Sequence, residues 1–469
     1  MGHLQRQPGA TPRRRRNGAA TAAGRGRGVS APAAAGRPWR LACLWLLLLG
    51  PSFFLLYGAA NQYAAGLPPE RVGNVAMAWE RAIPLWPWTI VPYWSIDLLY
   101  GLSLFLCVSR AELNAHAKRL LAVTLLSCLC FLLFPLRFGF ERPPLDGVFG
   151  QLFDLLMGFD KPFNQAPSLH IGLLVVLWLR YWQHTPRRWL WLLHGWFALI
   201  GVSVLTTWQH HFWDVPSGFA LAVLVCYLWP MPAPTAPSWR SPEPGRSRVL
   251  GARYAAGAAL LLVLAAALGG WGWLLAWPAL ALSVLAWAYW RLGPAALQKH
   301  AGRRRFAARV LLWPYSLAAR LAHAYFLRRL PGAEEVIEEV WLGPVSAARD
   351  ARFVAVLDLA AEYDRQAAGA VVYHSQPLLD LLLPAPAQLR LAVQALDRLR
   401  AGQRGPLLVH CALGLTRSAA VLLAWMVLSG RAGSVEQARA LLRQRRQRVE
   451  LSDAQCEELA RLCARLEPL

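Results

Sequence analysis

The chain has 469 residues, 56% of them hydrophobic and 23 of them tryptophan, yet its formal net charge is +23. A soluble domain rarely combines such apolarity with such basicity, so the composition excludes a single globular domain and points to a multispanning membrane protein with arginine-rich flanks. The charge is spread along those flanks rather than gathered on one soluble face, which argues against nucleic acid as a partner. Residues 1–38 are rich in Arg, Ala and Gly with no aromatic before Trp39, and read as a disordered basic tail. The first apolar run is too long for a leader peptide and has no small-residue cleavage site, so cleavage is not expected. Apolar runs of spanning length lie near 40–60, 90–109, 117–136, 168–184, 188–207, 213–231, 251–270 and 271–290. The last two abut at Gly269-Gly270 and read as a hairpin or as one long span. The fold class expected is thus an α-helical membrane bundle of about eight spans followed by a small α/β domain. Six spans fall in 39–231, a cytoplasmic loop in 232–250, two spans in 251–291, a basic interfacial linker in 292–332 and the α/β domain in 333–469.

Orientation follows from the loop charges. Arg13-Arg-Arg-Arg16 precedes the first span, which places the N-terminus in the cytoplasm. Alternation then puts Arg110, Lys118 and Arg119, Arg180, Arg187 and Arg188, Arg240, Arg246 and Arg248, and Arg303-Arg-Arg305 on that same side. An even number of spans leaves the C-terminal domain in the cytosol, where thiols stay reduced. No cysteine falls in the expected external loops, so no disulfide framework is expected. A bacterial cell membrane is the expected location.

The external ends of the spans carry a polar constellation. Pro167-Ser168-Leu169-His170 opens the fourth span, and Thr206-Thr-Trp-Gln-His210-His-Phe-Trp-Asp214 joins the fifth to the sixth. Histidine and aspartate at membrane ends are costly unless they serve a site. His210 and Asp214 are four apart, so on a helix the carboxylate can fix the imidazole. These segments resemble the type 2 phosphatidic acid phosphatase superfamily, and their wording is nearest the branch with inositol phosphorylceramide and sphingomyelin synthases. The resemblance implies His210 as nucleophile, Asp214 as its orienting group, His170 as the acid for the leaving alcohol, and Ser168 and Arg142 as phosphate ligands. It departs from the pattern at Val204 and Pro135, where the motifs carry basic residues, and at Trp208, where some relatives carry lysine. Arg137 and Lys161 are the substitutes available. His211 reads as an interfacial bystander.

Residues 301–330 mix arginines with leucines, Trp313, Tyr315 and Phe326, the composition of an amphipathic helix on an anionic leaflet. Beyond it, Leu407-Leu-Val-His-Cys-Ala-Leu-Gly-Leu-Thr-Arg-Ser418 reads as an apolar strand, a tight loop and a helix. A cysteine attacks only as thiolate, and loop N–H groups, a helix start and Arg417 all favour that anion. The same N–H groups cradle a tetrahedral oxyanion, and Arg417 can clamp its oxygens bidentately. The run resembles the His-Cys-x2-Gly-x2-Arg-Ser/Thr signature of cysteine-dependent tyrosine and dual-specificity phosphatases, and the likeness extends from about Val340 to the C-terminus. It implies that Cys411 attacks phosphorus, that Ala412, Leu413, Gly414, Leu415, Thr416 and Arg417 bind the phosphate, that His410 orients the loop and that Ser418 stabilises the leaving thiolate. It also requires a general acid on an earlier loop. Asp380 stands at the matching place, whereas Asp358 ends an apolar strand and reads as a turn organiser.

Two sites without cofactor or metal are therefore expected, an external histidine site on lipid phosphates and a cytosolic cysteine site on phosphomonoesters. The partners expected are a lipid phosphate or other phosphorylated substrate and anionic membrane lipids. No extra base lies between Cys411 and Arg417, which favours a singly phosphorylated substrate. Two alternatives stay open: a protein phosphatase tethered by a non-catalytic lipid-binding anchor, and a headgroup phosphotransferase in the membrane half.

Overall fold

The computed structural model describes residues 36–232, 239–328, 330, 332–367, 369 and 371–469. The basic tail expected at 1–38 falls, up to residue 35, outside them. Its first half is all helical: α1 (Trp39–Ala65), α2 (Ile90–Phe105), α3 (Arg110–Leu133), α4 (Gly147–Phe159), α5 (Leu169–His184), α6 (Leu190–Thr206), α7 (Asp214–Leu228), α8 (Pro244–Leu268) and α9 (Ala276–Trp287). Among the described residues, five helices are long and apolar enough to cross a bilayer: Trp39–Ala65, Arg110–Leu133, Arg187–Thr206, Pro244–Leu268 and Gly270–Leu297. The other three expected spans form shorter helices, α2 and α5 of 16 residues and α7 of 15. At ~1.5 Å per residue such helices reach roughly 24 Å, short of a ~30 Å hydrocarbon core. They pack against neighbouring helices: α5 on α3, α6 and α7, and α2 on α1, α5 and α6. The hairpin reading holds at Gly269-Gly270, where both glycines take positive φ between α8 and the next helical segment.

Two loop cations turn out to be interior. Arg180 is 1% exposed and paired with Glu112, and Arg119 donates to the carbonyls of Trp229 and Cys226.

The linker forms a two-stranded hairpin, β1 (Lys299–His300) with β2 (Arg303–Arg304), then α10 (Phe306–Leu311) and α11 (Trp313–Leu327). Trp313, Leu317, Leu321 and Tyr325 are exposed at four-residue intervals along α11. That spacing sets them on one helix face. Arg304 is not the surface cation its triplet suggested; it is buried against Asp364 and the Ser316 hydroxyl.

The C-terminal domain is a five-stranded sheet in the order β3-β4-β7-β5-β6, made of Glu334–Ile337, Val340–Gly343, Leu407–His410, Ala355–Ala360 and Val372–Leu378. Only β3 runs antiparallel to its neighbour. Helices α12 (Pro386–Gly402), α13 (Arg417–Leu428), α14 (Val435–Arg445) and α15 (Asp453–Ala464) complete the domain. The all-apolar stretch Leu407–Val409 is buried between parallel β4 and β5, as a central strand covered on both faces requires. Its C-terminal end delivers the loop that begins at Cys411, the position where open α/β sheets hold ligands.

The two halves share a core. Leu250, Ala281, Ala288 and Tyr289 cluster with Ala361, Leu379 and Leu382 of the C-terminal domain. Polar ties cross the same junction. Lys299 Nζ lies 2.6 Å from Asp358, Glu243 Oε2 accepts from the Leu383 amide at 2.6 Å, and Tyr289 donates its hydroxyl to the Asp380 carbonyl at 3.1 Å.

Candidate active sites

Cys411 sits at the mouth of β7 with 3% exposure, and its Sγ accepts from the Gly414 amide at 3.3 Å and the Ser418 hydroxyl at 3.2 Å. The loop is built so tightly that Gly414 takes φ +76°, and a Cβ there would stand 2.6 Å from the Gly343 carbonyl carbon. Val345 N–H donates to Ala412 O, and Thr416 Oγ1 reaches Glu450 O, so both shoulders of the loop are braced. His410 donates from Nδ1 to the Cys411 carbonyl at 3.1 Å. Burial holds its imidazole below the usual histidine range, although Asp358 pulls the other way. A neutral ring with an Nδ1–H is what that bond requires.

Arg417 opens α13, is wholly buried, and meets Glu362 through two parallel bonds of 2.8 and 2.6 Å. It also donates to Leu378 O and lies 3.1 Å from Asp380 Oδ1. Burial alone would favour the neutral guanidine, but Asp380 and Glu362 hold its pKa well above the ordinary value. Burial would likewise raise the Glu362 carboxyl, yet Arg417 brings it below the usual range. Glu362 was not singled out in the sequence. Its partner lies 55 positions away, and the one local hint is an acidic residue just past an apolar strand.

Asp380 and Asp358 part company in the structure. Asp380 belongs to the loop after β6, its side chain is 44% exposed, and it reaches Arg417. It does not cap the next helix, whose N-cap is Ala385. Asp358 is 1% exposed and is consumed by Lys299, the Tyr373 hydroxyl and the Ala360 amide. Chemically, the arrangement offers a sulfur nucleophile, a ring of loop amides and a guanidinium for three phosphoryl oxygens, and a partly exposed carboxyl for a proton.

In the helical half, His210 Nδ1 lies 3.1 Å from Asp214 Oδ2, the expected pairing. His210 and His170 line one cavity, with the His170 ring stacked on Tyr93 at a 4.1 Å centroid distance. Ser168 is placed differently from expectation: its hydroxyl caps α5 by accepting from Ile171 N–H at 3.2 Å. Arg142 donates to Trp208 O at 2.9 Å and lies over the Phe153 ring, lining a neighbouring pocket with Arg137. Lys161 is engaged with Gln62. No Lys or Arg lines the histidine cavity itself; Asp97 and Asp160 do. His211 is no interfacial bystander. It is fully buried, its Nδ1 2.8 Å from Glu80 and its Nε2 accepting from Gly139 N–H. Among the described residues no group of three metal-ligating side chains is present.

Residues 346–463 match the family model of the dual-specificity phosphatase catalytic domain, and this region of the chain is such a domain. The match does not extend into the helical half. Of solved structures, Tk-PTP in its active form is 26% identical, covers 29% of this chain and 99% of its own, and has a TM-score of 0.26. Human DUSP28 is 23% identical over 29% of this chain and 94% of its own, with a TM-score of 0.25. PTPMT1 in complex with PI(5)P is 20% identical over 29% of this chain and 96% of its own, also at 0.25. No curated protein matches the chain.

Proposed function

We propose that the chain is an integral membrane phosphatase whose cysteine site hydrolyses lipid phosphomonoesters and whose histidine site acts on lipid phosphates at the opposite face. The observation that carries the cysteine reading is that Cys411 and Arg417 bound one tight loop and that Asp380, from another loop, lies 3.1 Å from Arg417. Cys411 thiolate attacks phosphorus while Arg417 and the loop amides hold the three non-bridging oxygens. The S–P bond forms as the P–O ester bond breaks, and Asp380 gives its proton to the departing alkoxide. Water then attacks the phosphocysteine, Asp380 takes a proton from it, and the thiolate leaves, steadied by Ser418.

What supports a lipid substrate is the placement of the acid loop. Leu379 and Leu382 flank Asp380 and pack into a core shared with α8 and α9, which holds the pocket beside the membrane half. The exposed apolar face of α11, with Arg309, Arg320 and Arg328 also exposed, has the chemistry of an anchor on an anionic leaflet. For the histidine site the support is the His210–Asp214 pair beside His170, whose Nε2 is buried without a partner among the described residues.

The test uses full-length protein in vesicles with a panel of lipid phosphates and phosphopeptides, with and without a thiol-directed inhibitor. Thiol-sensitive release of phosphate from lipid monoesters is expected. Thiol-sensitive turnover of phosphopeptide alone would replace this reading with a tethered protein phosphatase. Topology is checked by single cysteines at the exposed positions Pro144 and Gly433 in a cysteine-depleted background. Only Pro144 should react with an impermeant maleimide on intact cells. Labelling at Gly433 would put both centres outside.

A further inference from the structure

The histidine cavity has the wrong charge for a site built only for phosphate. Its walls are the rings of Phe53, Phe54, Tyr57, Tyr93, Trp94 and Phe159, and its charged side chains besides the histidines are Asp97 and Asp160. Asp160 uses one oxygen to accept from the Tyr57 hydroxyl at 2.5 Å and from Asn61 at 3.4 Å. Asp97 is exposed on α2, and among the described residues no hydrogen bond or ion pair holds it. It is the single charged residue of that helix, seven positions from the first residue and so ~10 Å along it. An unpaired carboxylate at that depth is costly and marks a site whose partner comes from outside the protein. Asn164, 2% exposed, lines the same cavity with its Oδ1 unpartnered.

The cavity continues sideways into a groove between α1 and α2. Phe53, Phe54, Ile96, Asp97 and Leu173 line both, and the groove runs on past Leu46, Gly50, Tyr100 and Gly101. One end is therefore acidic and aromatic, the other apolar and open at the side of the bundle. Carboxylates among aromatic faces are what binds an ammonium group, through charge and the ring quadrupole together. An apolar trough suits an acyl chain.

We propose that this groove binds a lipid bearing an ammonium group, with the cation between Asp97, Asp160 and the aromatic walls and the chain between α1 and α2. Binding does not depend on histidine chemistry. That the ester presented to His210 then belongs to an aminolipid is a consequence resting on the histidine reading above.

The experiment uses full-length His210→Ala protein, so that binding is read without turnover. It is equilibrated in vesicles of equimolar phosphatidylethanolamine, phosphatidylcholine and phosphatidylglycerol with identical chains, and the lipid retained through detergent extraction is quantified by mass spectrometry. The two ammonium lipids should be retained about tenfold over phosphatidylglycerol, and Asp97→Asn or Asp160→Asn should erase that preference. Added octadecylamine distinguishes the source of the ammonium: displacement of both phospholipids means that the ammonium and chain suffice, and displacement by phospholipid alone means that the adjoining phosphate is read too. Equal retention of all three headgroups, or a preference that survives in both variants, overturns the proposal. Should the variants fail to fold, tetramethylammonium must displace retained phosphatidylcholine from the otherwise unaltered protein, and failure to do so overturns it as well.

Discussion

The cysteine site and the proposed histidine site are opposite constructions. The first is one continuous loop of seven residues, Cys411–Arg417, whose amides, sulfur and guanidinium are fixed by a single strand-to-helix turn. The second gathers His170, His210 and Asp214 from α5 to α7 and leaves its nearest arginine, Arg142, in a neighbouring pocket. A local site is complete wherever its turn folds. A distributed site is only as complete as the packing of the helices that present it.

The largest expected effect separates the two. Cys411→Ser should lower thiol-sensitive phosphomonoesterase activity by at least ~10⁴-fold, since no neighbouring group replaces the covalent nucleophile. His210→Ala should spare that activity and remove the other, which is checked by assaying both mutants on the same lipid panel. If either mutation removes both activities, the sites are not independent. Asp380→Asn should slow turnover by ~10²–10⁴-fold with a poor leaving group and less with p-nitrophenyl phosphate, whose oxygen needs little protonation. An equal loss on both substrates would make Asp380 a ligand rather than an acid.

Stability sharpens the contrast further. Glu362→Gln breaks a buried bidentate pair and leaves Arg417 charged, so urea denaturation of the C-terminal domain should show a loss of about 3–5 kcal/mol. A loss under 1 kcal/mol would mean that Asp380 takes over the pairing. The smallest expected effect is with pH. His410 is held below its unfolded value near 6.5, so the unfolded chain binds the extra proton, and stability is full above that value and declines as pH falls through it. Glu362 is also depressed, so its contribution is present above its unfolded value of 4.5 and is lost as pH falls through the folded value. Urea midpoints followed from pH 7.5 to 3 should therefore fall in two stages, the first diminished in His410→Asn.

Those contrasts explain what was legible in the sequence. The strand, loop and helix around Cys411 were readable because every group needed lies within a dozen residues, and the helix start at Arg417 falls one residue from the expected Ser418. Asp380 was placed by its spacing from that loop. Glu362 was not visible, because a carboxylate that clamps an arginine 55 positions away leaves no periodic trace. The His210–Asp214 pairing was expected on one helix face, whereas the structure makes it from the loop before α7; the acidity of the cavity was not legible, since Asp97 lies within an apolar run and Asp160 at the end of α4, with no spacing that joins them. Hydropathy also counted eight runs, of which five form helices long and apolar enough to cross and three form shorter helices, because it measures composition and not where a helix is cut.

The Lys299–Asp358 contact has a consequence for modularity. Judged by composition, the phosphatase domain begins after residue 332. Judged by energy, it begins earlier, because the buried carboxylate of Asp358 is answered by an ammonium from the β1–β2 hairpin, and Gly302 of that hairpin lies so near the Tyr373 ring that a Cβ would meet it at 2.6 Å. A fragment cut at 333 would retain the whole catalytic loop and lose the counter-ion beneath it. The two halves should accordingly melt in one calorimetric transition rather than two, and an excised domain should unfold at a lower temperature than the same residues in the intact chain.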